Sequence, residues 1–385
     1  NSLSTGQCQS FFRPTDSHAR GVATIISFDL LGSDFFWDAD HVIANYPTFY
    51  ESQNDIVLAE GAHDWWWYWW YPDDTDQVNI HVFDGTQPGH SAYIASGRVD
   101  GQLVDQFSID ELDGAIRLAT TTGAWERWWN TKAPNPESHV WVLRQQGDRF
   151  AIAGHVGGIT PGEHLTATRF VGNQAFLTTY QYVDPLITVD LSDPTAPAIA
   201  GQLKVPGFST YLQSIGNGKL LAIGYEGSPS WSTDVSMFDV SSFTNPQLQT
   251  TLPLAPEQGW AWSEATWDHK AFQYWGPKQL LAIPESNYAY DSTTGYYSYL
   301  SKLQLVTVDP NNGLSFYGAI DHSAFYDSDP NHYWSYVDIR RSIFMGDYVY
   351  AISDRAVTAH RVSDLGQVAA QPLPGYSPGD LWWWW

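Results

Sequence analysis

Short segments of alternating apolar and polar residues, a near absence of helical periodicity and a recurring two-strand pattern predict an all-β fold. The pattern is plain in LITVDLSDPTAPAIAGQLKVPGFSTYL, residues 186–212. Leu186, Thr188 and Asp190 point to one side of a strand, and Ile187, Val189 and Leu191 point to the other. Pro194 and Pro197 have no amide to give a sheet, so SDPTAP reads as a hairpin connection. AIAGQLKV is the second strand, and PGFS breaks the chain before a third.

The same order of strand, acidic or polar end, turn and strand recurs from Val78, His139, Asp234 and Leu303. Further strand pairs separate the copies, at 164–181 and 209–226. The spacing is about 50 residues once insertions are discounted, and four strands at that period is propeller blade arithmetic. The expected fold is a β-propeller of four-stranded blades, roughly six to eight of them. Residues 186–203 are then the third and fourth strands of one blade. Five blades fit between Pro47 and His322. Residues 338–365 give three strands of another, and 22–30 offer strands near the other end. Those terminal pieces either close one blade between them or belong to blades whose remainder lies elsewhere. Residues 1–20 read as an N-terminal extension, 21–365 as the propeller with a Trp-rich insertion near 61–77, and 366–385 as a C-terminal tail.

The net charge of −24 comes from 42 acidic against 18 basic residues. Such a surface repels phosphate backbones, which excludes nucleic acid as an expected partner and suits cations, a basic partner or plain solubility. No stretch approaches the roughly 18 apolar residues of a transmembrane helix. Cys8 is the one cysteine, so no internal disulfide forms.

Aromatic runs stand out. Trp65, Trp66, Trp67, Trp69 and Trp70 fall in HDWWWYWWYPDDTDQ, between the second and third strands of a blade, and the chain ends GDLWWWW. Exposed aromatics stack on sugars, hold cations or anchor a partner; laid against blade edges they are ordinary packing. Asp73, Asp74 and Asp76 gather the hard oxygens calcium prefers, and Asp327, Asp329 and Asn331 form a similar loop, neither with EF-hand spacing.

Propeller sites lie at the mouth of the axial channel, so polar residues near inner strands are informative. They are Asp110, Glu111, Arg117, Glu163, Arg169, Asp184, Tyr211, and Arg340 with Arg341. WDHKAF is the densest cluster; Trp267–Phe272 is expected to be an innermost strand, with Asp268 and Lys270 on one face and His269 on the other. An enzyme would use His269 as general base with Glu111 or Glu163 beside a metal-bound water. The simpler expectation is that these charges form ion pairs tying blades together. Should Lys270 point inward, Glu111, Glu163 and Asp184 are its candidate partners.

The stretches DGQLVDQFSIDELDGAIRLATT, GGITPGEHLTATRFVGNQAFLTTYQYVDPLITVDLSDPTAP, LKVPGFSTYLQ, MFDVSSFTNP and EATWDHKAF resemble the β-propeller domain of secreted bacterial and archaeal proteins distantly related to WD40 repeats. The match runs from roughly Cys8 to Asp364, with Gln213 where the family pattern commonly has His. The resemblance implies a secreted, periplasmic or cell-surface propeller, and a long segment before the part seen here. The expected function is a binding or scaffolding module for a protein, glycan or cofactor-bearing partner on the cell exterior. A metal-dependent hydrolase at the channel mouth and a structural envelope or fibre subunit are the alternatives. Association with a missing N-terminal segment or a second chain belongs to the same expectation.

Overall fold

A computed structural model describes residues 11–12, 21–32, 36–44, 46–62, 76–123, 135–180, 184–226, 232–254, 261–291, 296–325 and 338–373. The chain divides into two compact units, Asn1–Gln181 with Pro185–Gln202, and Tyr182–Asp184 with Leu203–Trp385.

In the first unit, β1 (Phe11–Phe12), β2 (Ala23–Asp29) and β3 (Phe36–Val42) form a sheet in the order β1-β3-β2. The next sheet holds β4 (Thr48–Glu51), β5 (Asp55–Gly61), β6 (Gln77–Asp84) and β7 (Ala92–Asp100) in sequence order. It is followed by β8 (Ile109–Leu112), β9 (Ala115–Thr122), β10 (Glu137–Gln146) and β11 (Arg149–Ile159). These two sheets touch edge to edge where β7 meets β11 at Ser96 and Arg149. The approach is close enough that a Cβ on Gly97 would lie 2.8 Å from the Phe150 Cβ. Then come β12 (His164–Val171), β13 (Gln174–Tyr180), β14 (Asp184–Asp190) and β15 (Ala198–Val205). The expectation for 186–203 holds: β14 and β15 are the third and fourth strands of a four-stranded antiparallel sheet.

The second unit contains β16 (Phe208–Gly216), β17 (Lys219–Tyr225), β18 (Thr233–Asp239) and β19 (Gln247–Pro253). Its next sheet is built from β20 (Ala261–Trp262), β21 (Gln273–Trp275), β22 (Leu280–Asp291), β23 (Tyr296–Asp309) and β24 (Gly313–Asp321). The last holds β25 (Ile339–Met345), β26 (Tyr348–Ser353), β27 (Ala356–Arg361) and β28 (Gln367–Pro372).

Burial explains the composition of each position. Second and third strands such as β5, β6, β13 and β17 are buried on both faces, so they read as continuous apolar runs. Sheets then pack face to face, as when Val140, Ile159 and Ala119 meet Leu165, Leu177 and Ile187. Four third strands, β6, β14, β18 and β23, end in an acidic residue with a local task. Asp84, Asp190, Asp239 and Asp309 accept the backbone N–H two residues on, at 2.8–2.9 Å, and so cap the turn into the fourth strand. Hydrogen bonds from Lys219 and Ser241 hold Asp239 at a pKa of about 2.

Two expectations need correction. Residues 367–372 are not tail but the fourth strand of the last sheet, paired along β27 from Ala356/Pro372 to His360/Gln367. Every side chain of β28 is exposed, so QVAAQP carries no apolar alternation by which to recognise it. The last sheet therefore fills its four positions from its own chain. WDHKAF, in turn, is not a strand. Its sheet's first strand is split into β20 and β21, which both pair with β22, and residues between them make two 3₁₀ turns. Ser263 accepts from the Ala265 N–H at 3.2 Å and Asp268 from the Lys270 N–H at 3.0 Å. These side-chain caps compete with the ladder and lift the segment out of it.

Candidate functional site

Trp65–Trp67, Trp69, Trp70, Asp73, Asp74, Asp327, Asp329, Asn331, Trp382–Trp385 and Cys8 lie outside the described residues, as does the side chain of Asp184. Asp76 is buried, its carbonyl accepting from the Gly101 N–H at 2.6 Å. Among the described residues no three His, Cys, Asp or Glu side chains gather as metal ligands.

In the first unit the predicted inner-strand charges sort into ion pairs and caps. Arg117, on β9 and 4% exposed, donates from Nε to Asp110 Oδ2 at 2.7 Å and from Nη1 to the Gly172 carbonyl at 2.6 Å. Its guanidinium also lies 5.3 Å from the Phe170 ring centroid, so it ties β8 and β9 to the turn after β12. Burial raises the Asp110 carboxyl above its ordinary value even with Arg117 opposing. Arg169 stacks 4.0 Å over Phe107, whose amide donates to Asp105 at 2.8 Å. Glu111 accepts from Asn54 Nδ2 and the Gly114 N–H, and Glu163 accepts from Thr179 Oγ1 at 2.6 Å. Both glutamates proposed as partners of His269 are thus engaged within their own unit.

In the second unit the 3₁₀ excursion is the centre of a charge network. Arg341 on β25 donates from Nη1 to Glu264 Oε1 at 2.8 Å and from Nη2 to Asp268 Oδ2. Arg340 pairs with the same Glu264 and reaches Asp354 at 3.9 Å. Glu264 is 8% exposed, so one buried carboxylate holds two guanidiniums. Burial works against the Asp268 charge, but the Lys270 amide and Arg341 outweigh it and keep the carboxyl below its usual range. Lys270 and Trp267 are exposed, and the His269 ring lies 6.1 Å from that of Tyr211, which also meets Phe272 edge-on. Lys270 does not point inward, so the pairing with Glu111, Glu163 or Asp184 that an inward lysine would need does not arise. Glu264, Asp268 and Asp354 each have a guanidinium, and the arrangement works as a clamp between the excursion and β25. Replacing Arg341 with Met should cost about 1–2 kcal/mol, and Arg341→Lys should recover little because only the guanidinium fork spans two carboxylates. An unchanged urea midpoint in the Met variant would remove the clamp.

Three polar assemblies escaped sequence reasoning. His139 Nδ1 and His155 Nε2 are 3.0 Å apart, and Trp141 stacks on His155 with ring centroids 3.8 Å apart. Burial lowers both imidazoles below their ordinary value. A Cβ on Gly157 would come within 2.5 Å of His139 Nδ1, so glycine is required there. The second assembly recurs at a hydroxyl residue among the last three of second strands, where it clasps the connection leading into the sheet. Thr120 on β9 donates to the Asp100 carbonyl at 2.7 Å and accepts from Trp141 Nε1 at 2.9 Å. Thr179 on β13 holds Glu163 as above, and Ser353, which ends β26, bonds His322 Nδ1 at 3.1 Å. His322 Nε2 then meets Thr358 Oγ1 at 2.8 Å, Thr358 meets His360 Nε2 at 2.9 Å, and His360 Nδ1 reaches the Leu365 carbonyl at 2.9 Å.

The third is Asp234, near the start of β18. Burial, and then the charge of Glu226, push its carboxyl up to about 7. Glu226 lies on the same face, because Asp234 pairs with Gly224 and the Glu226 N–H donates to the Ser232 carbonyl. Among the described residues nothing hydrogen-bonds the Asp234 carboxyl. Its only sequence signal is an acid standing where β18 alternates Ser236 and Phe238.

A family model described as a beta propeller domain matches residues 1–365. An uncharacterized protein of Methanocaldococcus jannaschii is 34% identical over 197 residues, 51% of this chain and 29% of that protein. An uncharacterized protein of Archaeoglobus fulgidus is 28% identical over 262 residues, 68% of this chain and 34% of the relative. The chain thus spans about a third of the length of these relatives. Sqt1 of Chaetomium thermophilum, a solved structure, is similar with a TM-score of 0.33 and 9% identity over 67% of this chain and 68% of that one.

Proposed function

Because the chain belongs to the beta propeller domain family, we propose that it is a binding or scaffolding module, working on the cell exterior and meeting a protein or glycan through aromatic connections at one end of its sheets. The observation that carries this is where the tryptophans fall. Connections from first to second and from third to fourth strands are short turns without a tryptophan. Connections from second to third strands, and those that lead into the next sheet, emerge at the opposite end of each sheet. In the sequence those connections contain Trp65–Trp67, Trp69, Trp70, Trp125, Trp128, Trp129, Trp231, Trp260 and Trp334. Insertions at such positions change a surface without disturbing a core. The inner charges support the same reading, since they are spent on ion pairs that hold the sheets.

Replacing residues 63–75 and 124–134 with Gly-Ser linkers is the test, read by thermal melting and by a glycan array. Melting within a few degrees of wild type with loss of array binding is expected. A collapse of the fold would make the insertions packing elements; binding that persists would place the contact elsewhere. Protease shaving of intact cells tests the exterior location. A second, hydrolytic reading rests on Asp234 and Glu226, two carboxyls on one face of the sheet, with burial and the Glu226 charge pushing the Asp234 pKa up to about 7.

A further inference from the structure

The first sheet is half a blade, β2 and β3, with the two-residue β1 added parallel to the outer side of β3. In each later sheet, the strand that leads into the next sheet is the fourth, as with β7, β11, β15, β19 and β24. β3 leads into β4 in the same way, which makes β3 a fourth strand and β2, its neighbour, a third. First and second strands would sit on the other side of β2, and there β2 is the edge of its sheet. Third strands elsewhere, such as β6 and β18, are buried, whereas β2 buries only Ile25. Val22, Ile26 and Phe28 alternate outward at 58%, 51% and 48% exposure.

A cavity of about 420 Å³ runs along this edge. Six consecutive residues of β2, Ala23 to Phe28, line it, so it presents the backbone edge as well as one face. Its far wall is Phe49 of β4 with Ile56 and Leu58 of β5, the first and second strands of the adjoining sheet. Strands of a stacked neighbour would lie over their counterparts, and the groove occupies that place. Glu51 and His90 are its only titratable lining residues. The seat therefore carries little charge in a chain of net charge −24, with Ile25, Ile26, Phe28, Phe49, Ile56 and Leu58 as its large apolar positions among polar ones.

We propose that this groove receives a two-stranded antiparallel β-hairpin, the first and second strands of the same blade, supplied by polypeptide of the same gene product outside residues 1–385. The strand next to β2 adds to its edge and alternates apolar residues over Ile25 and Leu58. β25–β28 already fill one sheet from their own residues, and the relatives, of which this chain covers 29% and 34%, carry ample further chain.

The test uses single thiols at Ile26→Cys and Phe28→Cys, each in a Cys8→Ser background, both sites being half exposed. Maleimide labelling and amide exchange of residues 23–29 are compared between the 385-residue chain and the longest natural polypeptide that contains it. Ultracentrifugation gives the oligomeric state. Fast labelling in a monomeric 385-residue chain, slowed at least roughly tenfold in the longer polypeptide with slowed β2 amides, is the expected result. Equal labelling in both overturns the proposal. So does protection already present in the 385-residue chain, from a second copy if it is dimeric or from its own residues if it is not.

Discussion

Lowering the pH from 7 to 4.5 is expected to cost the wild-type protein about 2 kcal/mol more stability than it costs His322→Gln. His322 is fully buried, and burial, then the neighbouring His360, bring its pKa down to about 4 from 6.5. Its hydrogen bonds place a proton on Nε2. His360 Nδ1 must donate to the Leu365 carbonyl, so its Nε2 accepts from Thr358, and Thr358 in turn accepts from His322 Nε2. That leaves His322 Nδ1 facing the Ser353 hydroxyl, which also reaches the Ala356 carbonyl at 3.3 Å. The native pKa lies below the unfolded one, so the unfolded chain takes up the proton first. Stability is full above pH 6.5 and drains as the pH falls towards 4. Urea titrations of both proteins at the two pH values isolate the effect, since other groups titrate alike in each. Parallel losses would show that His322 is not held neutral.

Asp234→Asn should stabilise the protein by roughly 2–4 kcal/mol at pH 8, discounted for partial exposure, and by little at pH 4. Here the sign is reversed. A folded pKa of about 7 against 3.8 means the native state holds the proton more tightly. The fold is therefore strongest below pH 4 as far as this group is concerned, and weakens as the pH rises to 7. An amide removes that cost without changing the outline of the side chain. Denaturant midpoints across pH 4–8 measure it, and an Asn variant that tracks the wild type throughout would refute the buried acid. Should the same variant abolish a hydrolytic activity while gaining stability, the second functional reading gains ground.

How much of this was legible in the sequence depended on whether a residue's task was local. Asp190 announces both the end of β14 and the turn after it, because the same carboxylate caps that turn. The apolar runs of β13 and β17 announce central strands because both faces are buried. β28 was invisible for the opposite reason, having nothing to bury. In WDHKAF the apolar residues suggested a strand, yet the Ser263 and Asp268 caps decided the outcome from within the backbone. Asp110, Arg169 and Tyr211 lie on β8, β12 and β16, the first strands of their sheets, but their partners are beyond the reach of a local reading. Arg341 finds Asp268 across 73 residues, and Arg117 finds Gly172 across 55. No local pattern encodes such a pairing, and it depends on how two sheets come to rest on each other.

The clasp at second strands bears on how the chain assembles during synthesis. Thr120 holds Asp100, Thr179 holds Glu163 and Ser353 holds His322, and in each case the partner precedes the clasping residue by 16 to 31 residues. A ribosome releases the partner first. When the second strand of a sheet emerges, it can lock the connection already made without waiting for anything downstream. Each of these three sheets is thus sealed to its own entry point in the order of translation, which shortens the interval during which its unpaired strands are exposed to aggregation.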